Sequence, residues 1–432
     1  MDDSFAALAS RLLLPVLCTT LESDRAPSSK SVTSENSVES VVQTIKDRAA
    51  ALAPELSGIR RHLHAHPELS FKETETAAFV TKQLQAMGLA PYAVAGTGVV
   101  ALIEGQPGGP VVALRADMDA LPILELSEVE YKSQNPGVMH ACGHDVHTTC
   151  LLGAARLLTE QRAHFKGTVK LIFQPGEELL PGGASLMIKD GVLENPAPAE
   201  ILGQHVFPRL PVGQIGLRPG RYMASTDELY LRIKGKGGHG AMPELNLDPV
   251  LVAAHLIVAA QQIVSRRANP KMPSVLSFGK VIANGATNVI PDEVYIEGTF
   301  RTLDETWRDE AHVHLRQLCE GLAASMGAVC ELEIRRGYPC LDNNPAVTAR
   351  VRAAAEAYLG AENVIELDQW LAAEDFAYFS QAAPACFYRL GTRAVDGRFA
   401  ASVHTPIFDV DEQALSIGAG LMAWLTLQEL AQ

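Results

Sequence analysis

The 432 residues predict an α/β protein carrying a second, smaller α+β unit, and three observations lead there. Segments with apolar residues at helical spacing alternate with short β-rich runs, the pattern of strands joined by helices. From about Leu217 the texture changes to strand, apolar helix, two strands and another helix, and this βαββα order reads as a self-contained insert. A hydrophobic content of 47% is enough to bury a core without disulfide staples.

Taken in order, "RLLLPVLC" is apolar enough for a poorly formed export signal, but it is short and follows Asp2 and Asp3. Residues 22–39 are rich in Ser, Thr, Asn and charge, too polar to order themselves. Residues 1–40 are therefore expected to be a disordered leader, with the folded body starting near Val41. "AAFVTKQLQAMGL" predicts a helix stopping at Gly88, and "GVVALIEGQPGGPVVALRADMDAL" predicts a hairpin about a Gly-Pro turn. "CLLGAARLLTEQR" follows as a helix and "GTVKLIFQPGEE" as a buried strand ending in a turn and two glutamates. The insert then reads as strand "DELYLRIKGKGGHG", helix "PVLVAAHLIVAAQQIV", strands "SVLSFGKVIANG" and "DEVYIEGTFRTL", and a helix over 307–324. A last block, "AVTARVRAAAEAYLG" to "SIGAGLMAWLTLQEL", returns to alternating elements. No apolar run is expected to be long enough to span a bilayer.

A net charge of −14, with no basic cluster, excludes a nucleic-acid backbone as partner and leaves small molecules or proteins. The seven cysteines (Cys18, Cys142, Cys150, Cys319, Cys330, Cys340 and Cys386) are odd in number and lack CxxC knuckles. That usage predicts free thiols in a reducing compartment, hence a cytoplasmic protein, with export as the alternative.

Several polar clusters could carry chemistry. In "RADMDALP" a strand ends in Asp117 and Asp119, a carboxylate pair that could bind metal, orient a ligand or merely be a solvated strand end. In "VMHACGHDVHTT", Cys142 and His144 precede a helix that Asp145 could cap; thiolate and imidazole together suit zinc or a similar ion, and the helix amides should lower the thiol pKa. His140 and His147 are expected to support this stretch from behind. Glu177 and Glu178 end a strand and point different ways, so one could be a ligand and the other a base. Single histidines such as His205 in "LGQHVFP" and His404 in "SVHTP" are more often structural, and only the set gives them weight. His62, His64 and His66 alternate invitingly, yet they sit in a helical context that Pro67 closes, and a structural role is expected. "GKGGHGAMP" lacks the spacing of a phosphate loop; its glycines would let backbone approach a ligand or neighbour at His239.

Together, "RADMDALP", "MHACGHDVHT", "FQPGEE", "GGHGAMP", "TNVIPDEVYIEGTFRT" and "HTP", in this order from about Ile59 onward, resemble the M20 metallopeptidase superfamily. The CGHD form is similar to its amidohydrolase branch, which includes aminoacylase-like, hippurate-hydrolysing and auxin-conjugate-hydrolysing enzymes. The resemblance implies a catalytic domain with a central mixed β-sheet flanked by helices, discontinuous over 41–216 and 332–432, and an inserted lid and dimerisation domain over 217–331. It implies two divalent metal ions (zinc, manganese or cobalt) held by Cys142, His144, Glu178, His205 and His404, with Glu177 as general base. The wider superfamily has His-x-Asp where this chain has Asp117 and Asp119; Asp119 would then orient a ligand histidine, and Asp117 would not be a ligand. His239 would offer a donor to the oxyanion, across a dimer interface, while Asn288 and Arg301 would bind the substrate carboxylate. The activity implied is hydrolysis of N-acyl or aryl-acyl amino acids, with a carboxypeptidase or dipeptidase as the near rival. A metal-free binding protein should have lost Glu177 or a ligand, and a structural zinc site would favour a closed Cys and His shell over carboxylates.

Overall fold

The computed structural model describes the backbone of residues 29–432 and the side chains of residues 39–432. Residues 42–432 form one compact unit and residues 1–41 a separate one. Of the expected leader, residues 1–28 lie outside the described residues. Helix α1, Ser29–Ala51, includes residues 29–39 of the polar stretch that was expected to stay unordered. Val42, Ile45 and Ala49, within the larger unit, are buried in its core.

Helices α2 (Ala53–Ala65) and α3 (Thr74–Ala86) lead into strands β1 (Tyr92–Val94), β2 (Gly98–Glu104) and β3 (Gln106–Asp117). Helix α4 (His144–Gln161), strand β4 (Lys166–Gln174), helix α5 (Gly183–Lys189) and strands β5 (Glu200–Pro211) and β6 (Ile215–Leu217) follow. The chain then passes through β7 (Gly220–Met223) into the insert.

The insert comprises β8 (Asp227–Lys234), β9 (Gly238–His239), α6 (Pro249–Gln262), β10 (Ser274–Ile282), β11 (Val289–Ile290), β12 (Glu293–Thr302), α7 (Glu305–Ser325) and β13 (Val329–Arg336). The chain returns through β14 (Leu341–Asn343), α8 (Pro345–Leu359), β15 (Val364–Glu366), α9 (Phe376–Ala382), β16 (Ala385–Arg393) and α10 (Gln413–Leu430).

The large sheet is mixed, in the order β1-β2-β4-β3-β5-β16-β6-β15, with β4, β3, β5 and β16 mutually parallel. Alternate residues face opposite layers. Val112, Leu114 and Ala116 join the core under α1, α2, α4, α8 and α10, whereas Ala113 meets the core that contains α5 and α9. The expected hairpin between β2 and β3 does not form: β4 lies between them, antiparallel to β2 and parallel to β3. Most of β2 and the second half of β3 are buried on both faces, as interior strands are, so their apolar content alone could not name their neighbours.

The insert builds its own sheet, β10-β12-β8-β13, with α6 and α7 packed on one face. In β8, Leu229, Leu231 and Ile233 point to that core and alternate with more exposed residues. The sheets set the boundaries of the insert near 226 and 337: the expected departure at 217 falls on β6 of the large sheet, and the expected return at 332 falls inside β13. One expectation about α6 is corrected: the continuous helix Pro249–Arg267, with mean hydropathy 1.3, is long and apolar enough to cross a membrane by length and composition. Here it buries Val252, Ala253, Leu256 and Ala260 against the insert sheet.

Candidate active site and metal centre

The parallel strands deliver their polar ends to one edge of the large sheet, the usual place for a ligand in an open α/β sheet. Asp117 ends β3; Glu177 and Glu178 follow β4; His205 lies on β5; His404 follows β16. Cys142 and His144 come from the start of α4. Gly143 between them has φ +83°, and a Cβ there would meet a Val206 methyl at 2.6 Å. Glycine is therefore required for the thiol and imidazole to turn into the site together. His404 also has a positive φ, 63°, and its N–H donates to the Ala141 carbonyl at 2.7 Å, tying the last histidine to the cysteine loop. Such a backbone in a non-glycine residue is costly and is held by its surroundings.

Two donor sets share one thiol: Cys142 with His144 and His205, and Cys142 with Glu178 and His404. Cys142 Sγ lies 3.5 Å from His205 Nε2 and 3.3 Å from His404 Nε2, and His404 Nε2 lies 3.0 Å from Glu178 Oε1. His205 uses Nδ1–H to donate to the Val206 carbonyl at 2.8 Å, which leaves the Nε2 lone pair facing the thiol. His144 Nδ1 is held by Asp119 at 3.2 Å, and its Nε2 is buried without a hydrogen-bond partner, 3.8 Å from Asp117 Oδ1. A buried imidazole nitrogen left bare, beside sulfur and carboxylate oxygen, is the donor arrangement a divalent cation satisfies. The shared thiol gives two such places.

The electrostatics agree. Burial, then the carboxylates of Glu178, Glu177 and Asp117, push the Cys142 thiol well above its ordinary pKa. This reverses the expectation that helix amides lower it: the acidic surroundings outweigh them, and a cation is needed to remove the proton. Burial opposes charge on His144, but Asp117 and Asp119 outweigh it and raise that imidazole to about 10. Burial, Arg389 and His147 drive His205 well below its usual range, so it is neutral.

Asp119 also accepts from Ser70 Oγ at 2.6 Å and from the Glu178 N–H at 3.0 Å, so one carboxylate orients His144 and pins the Glu178 backbone. Asp117 lies behind, accepting from Arg115 and from His147 Nδ1 at 2.5 Å, while His147 Nε2 accepts the Val206 N–H at 2.9 Å. His140 is buried with both ring nitrogens unpartnered, and burial lowers it to about 4.

Asp145 does not cap α4. The N-cap is Gly143, and Asp145 instead pairs inside the first turn with Arg60 at 2.9 Å and His64 at 2.8 Å. A buried guanidinium is a stronger partner than a helix amide. His64 is thereby structural; His62 stacks on Phe79 and His66 Nδ1 bonds the His62 carbonyl.

Glu177 is buried beside Glu374 and Asp375, and burial plus those carboxylates and Glu178 raise its pKa well above the ordinary value. Arg115 holds the group together, donating to Glu374 at 2.9 Å and Asp375 at 2.7 Å. Sequence reasoning missed Arg115, Glu374 and Asp375, although "RADMD" and "AAEDF" each place a charge within an apolar run.

A cavity of about 850 Å³ opens over the site, lined among others by Cys142, Glu177, Glu178, His205, His404, Arg301, Arg389 and Trp370. Arg301 reaches it because β12 turns Phe300 into the insert core and the next residue the other way; its Nη1 donates to the Leu371 carbonyl at 3.2 Å. His239 and Asn288 lie elsewhere. They are exposed neighbours, His239 on β9 pairing with β11 and the Gly240 N–H donating to the Asn288 carbonyl, and neither lines the cavity.

Comparison with known proteins agrees with this geometry. The model of peptidase family M20/M25/M40 matches residues 113–428. N-acetyl-L-cysteine deacetylase of Bacillus subtilis is 43% identical over 85% of this chain and 86% of its own. IAA-amino acid hydrolase ILR1-like 4 of Arabidopsis thaliana is 40% identical over 87% and 86%. The crystal structure of the Bacillus subtilis YXEP protein, a dinuclear metal binding peptidase of the M20 family, superposes with a TM-score of 0.77 at 37% identity, covering 88% of this chain and 99% of that one. This chain belongs to peptidase family M20/M25/M40.

Proposed function

We propose that this chain, a metal-dependent amidohydrolase, cleaves N-acyl or aryl-acyl amino acids to the free acid and the amino acid. The observation that carries the reading is a buried, proton-seeking Glu177 in the same cavity as the two thiol-sharing donor sets and the Arg301 guanidinium. The names of the bacterial deacetylase and the plant hydrolase support the substrate class.

Two divalent ions, with zinc, manganese or cobalt suiting a thiolate, imidazole and carboxylate set, would be held by Cys142, His144, Glu178, His205 and His404 and would supply Lewis-acid polarisation of the scissile carbonyl and a water of lowered pKa. Glu177 accepts that water's proton and passes it to the leaving nitrogen. Asp119 keeps His144 in the tautomer that exposes Nε2. Arg301 binds the substrate carboxylate, which its planar fork matches. His239 and Asn288 serve the oxyanion and the carboxylate in a homodimer formed through the insert, since in one chain they stand outside the cavity.

The test is a screen of N-acetyl, N-benzoyl and indole-acyl amino acids beside dipeptides, repeated after chelation and metal add-back. Hydrolysis of N-acyl amino acids that chelation abolishes and metal restores is expected. Activity that survives chelation, or is confined to dipeptides, would overturn the reading.

A further inference from the structure

Among the described residues four arginines are fully buried: Arg60, Arg115, Arg308 and Arg389. Three are matched by acids. Arg60 pairs with Asp145 and Asp409, Arg115 with Asp117, Glu374 and Asp375, and Arg308 with Asp227 and Glu305. Arg389, 1% exposed, has no carboxylate partner among the described residues. Its Nε donates to the Tyr222 hydroxyl at 3.0 Å, its Nη2 sits 3.0 Å from Met223 Sδ, and its guanidinium lies 4.8 Å from the Trp370 ring centre and 5.1 Å from that of Phe387. Aromatic faces soften the burial of a cation but do not neutralise it.

Arg389 is also the one of the four that lines the cavity. Its neighbour across the strand pair is His205. Arg301 stands in the same cavity without an acid partner, bonded to the Leu371 carbonyl, while Arg389 stacks on Trp370. Two guanidiniums, one from each sheet, are thus held by consecutive residues of one segment. The acids of the cavity wall are otherwise engaged: Glu374 by Arg115, Glu228 by the Tyr230 hydroxyl, and Glu177 and Glu178 in the catalytic cluster. A chain with net charge −14 has kept its acids away from this one buried cation.

We propose that Arg389 binds a second carboxylate of the substrate, beyond the α-carboxylate held by Arg301, so that the preferred substrates are dianionic N-acyl amino acids. This rests on the N-acyl amino acid reading above. The second charge can come from an acidic amino-acid side chain or from a dicarboxylic acyl group, and both present the same planar anion to the guanidinium.

The experiment compares kcat/KM for N-acetylglutamate against N-acetylglutamine, and for N-succinylalanine against its terminal amide, in the wild type, Arg389→Gln and Arg389→Lys. One dianion of the two pairs should be preferred by roughly ten- to a hundredfold over its neutral isostere, the worth of a hydrogen bond to a charged group. That ratio should fall close to one in Arg389→Gln and recover in part in Arg389→Lys. Which pair shows the ratio identifies the source of the charge. Should Arg389→Gln fail to fold, inhibition of the wild type by glutarate against its monoamide reads the same site, with stronger inhibition by glutarate expected. No preference in either pair, a ratio that survives Arg389→Gln, or equal inhibition by glutarate and its amide overturns the inference. Turnover of N-acetylalanine in the same assays separates such a failure from failure of the parent reading, in which no N-acyl amino acid is cleaved.

Discussion

Glu177 owes its raised proton affinity to burial and to its neighbours. Buried beside Glu374, Asp375 and Glu178, it holds a proton far above the ordinary carboxylate range, and cations bound at the adjacent donor sets would pull in the other direction. With such cations bound, Glu177 could act as the base proposed above, taking a proton from water and giving it up again. Glu177→Gln keeps the shape and the donor sets, so the variant is expected to retain its metal while kcat drops by roughly 10² to 10⁴. Metal analysis beside steady-state kinetics reads this; a metal-loaded variant at the wild-type rate removes Glu177 from the role. Asp119→Ala should act differently, because it frees the His144 ring and the Glu178 backbone together. A loss of about ten- to a hundredfold in metal affinity is expected by titration, and unchanged affinity would refute the orienting role. Cys142 and His144 could be picked out in the sequence because a single glycine joins them. Arg115, Asp375 and Arg389 could not, because their meaning lies in partners that are distant in sequence, or, for Arg389, in the lack of an acid.

At the scale of elements, alternation was readable and adjacency was not. The helix and strand segments of the insert follow their apolar periodicity closely, since each packs one face on one core. The β2–β3 hairpin failed as an expectation because strands buried on both faces carry no mark of which edge meets which. The polar cluster that closes the insert on α7 was equally unreadable: Asp227 at the start of β8 accepts from Arg308 at 2.6 Å and His312 at 2.6 Å, all brought together by the return of the chain. Burial would raise the Asp227 pKa, but His312 and Arg308 outweigh it and hold the carboxyl below its ordinary value. Asp227→Ala leaves buried Arg308 with Glu305 as its remaining acid partner and removes its closest one; breaking a buried pair in this way should cost about 3–5 kcal/mol at pH 7, read by denaturant unfolding. For Asp227→Asn the pH dependence follows from the sign of the shift. A depressed pKa gives stability that is complete above about pH 4 and is lost as the pH falls through the folded value. The wild-type advantage over Asp227→Asn should therefore shrink as the pH falls below about pH 4; an advantage that grows there contradicts the pairing.

For the whole molecule, the insert presents features that one chain leaves unused. On α6, Leu251 is 52% and Val258 74% exposed, one helical face apart from the residues that face the core. Strand β10 is an edge of its sheet, with its own Val281 exposed. An apolar helix face next to an open strand edge is a surface that association would cover. The exposed pair His239 and Asn288 lies on the same insert, outside the cavity it would serve. A homodimer through the insert meets both needs, burying the apolar face and giving each cavity the other chain's histidine. In solution the mass should then be about twice that of the 46.3 kDa chain. Leu251→Asp with Val258→Asp should yield a folded monomer, because both side chains lie off the core, with kcat reduced and metal content retained. Light scattering on the wild type and the double variant, with kinetics on both, decides the matter. A monomeric wild type at full activity would separate His239 from catalysis and leave the apolar face of α6 without a role in it, whereas a dimeric variant of reduced activity would place the interface elsewhere on the insert.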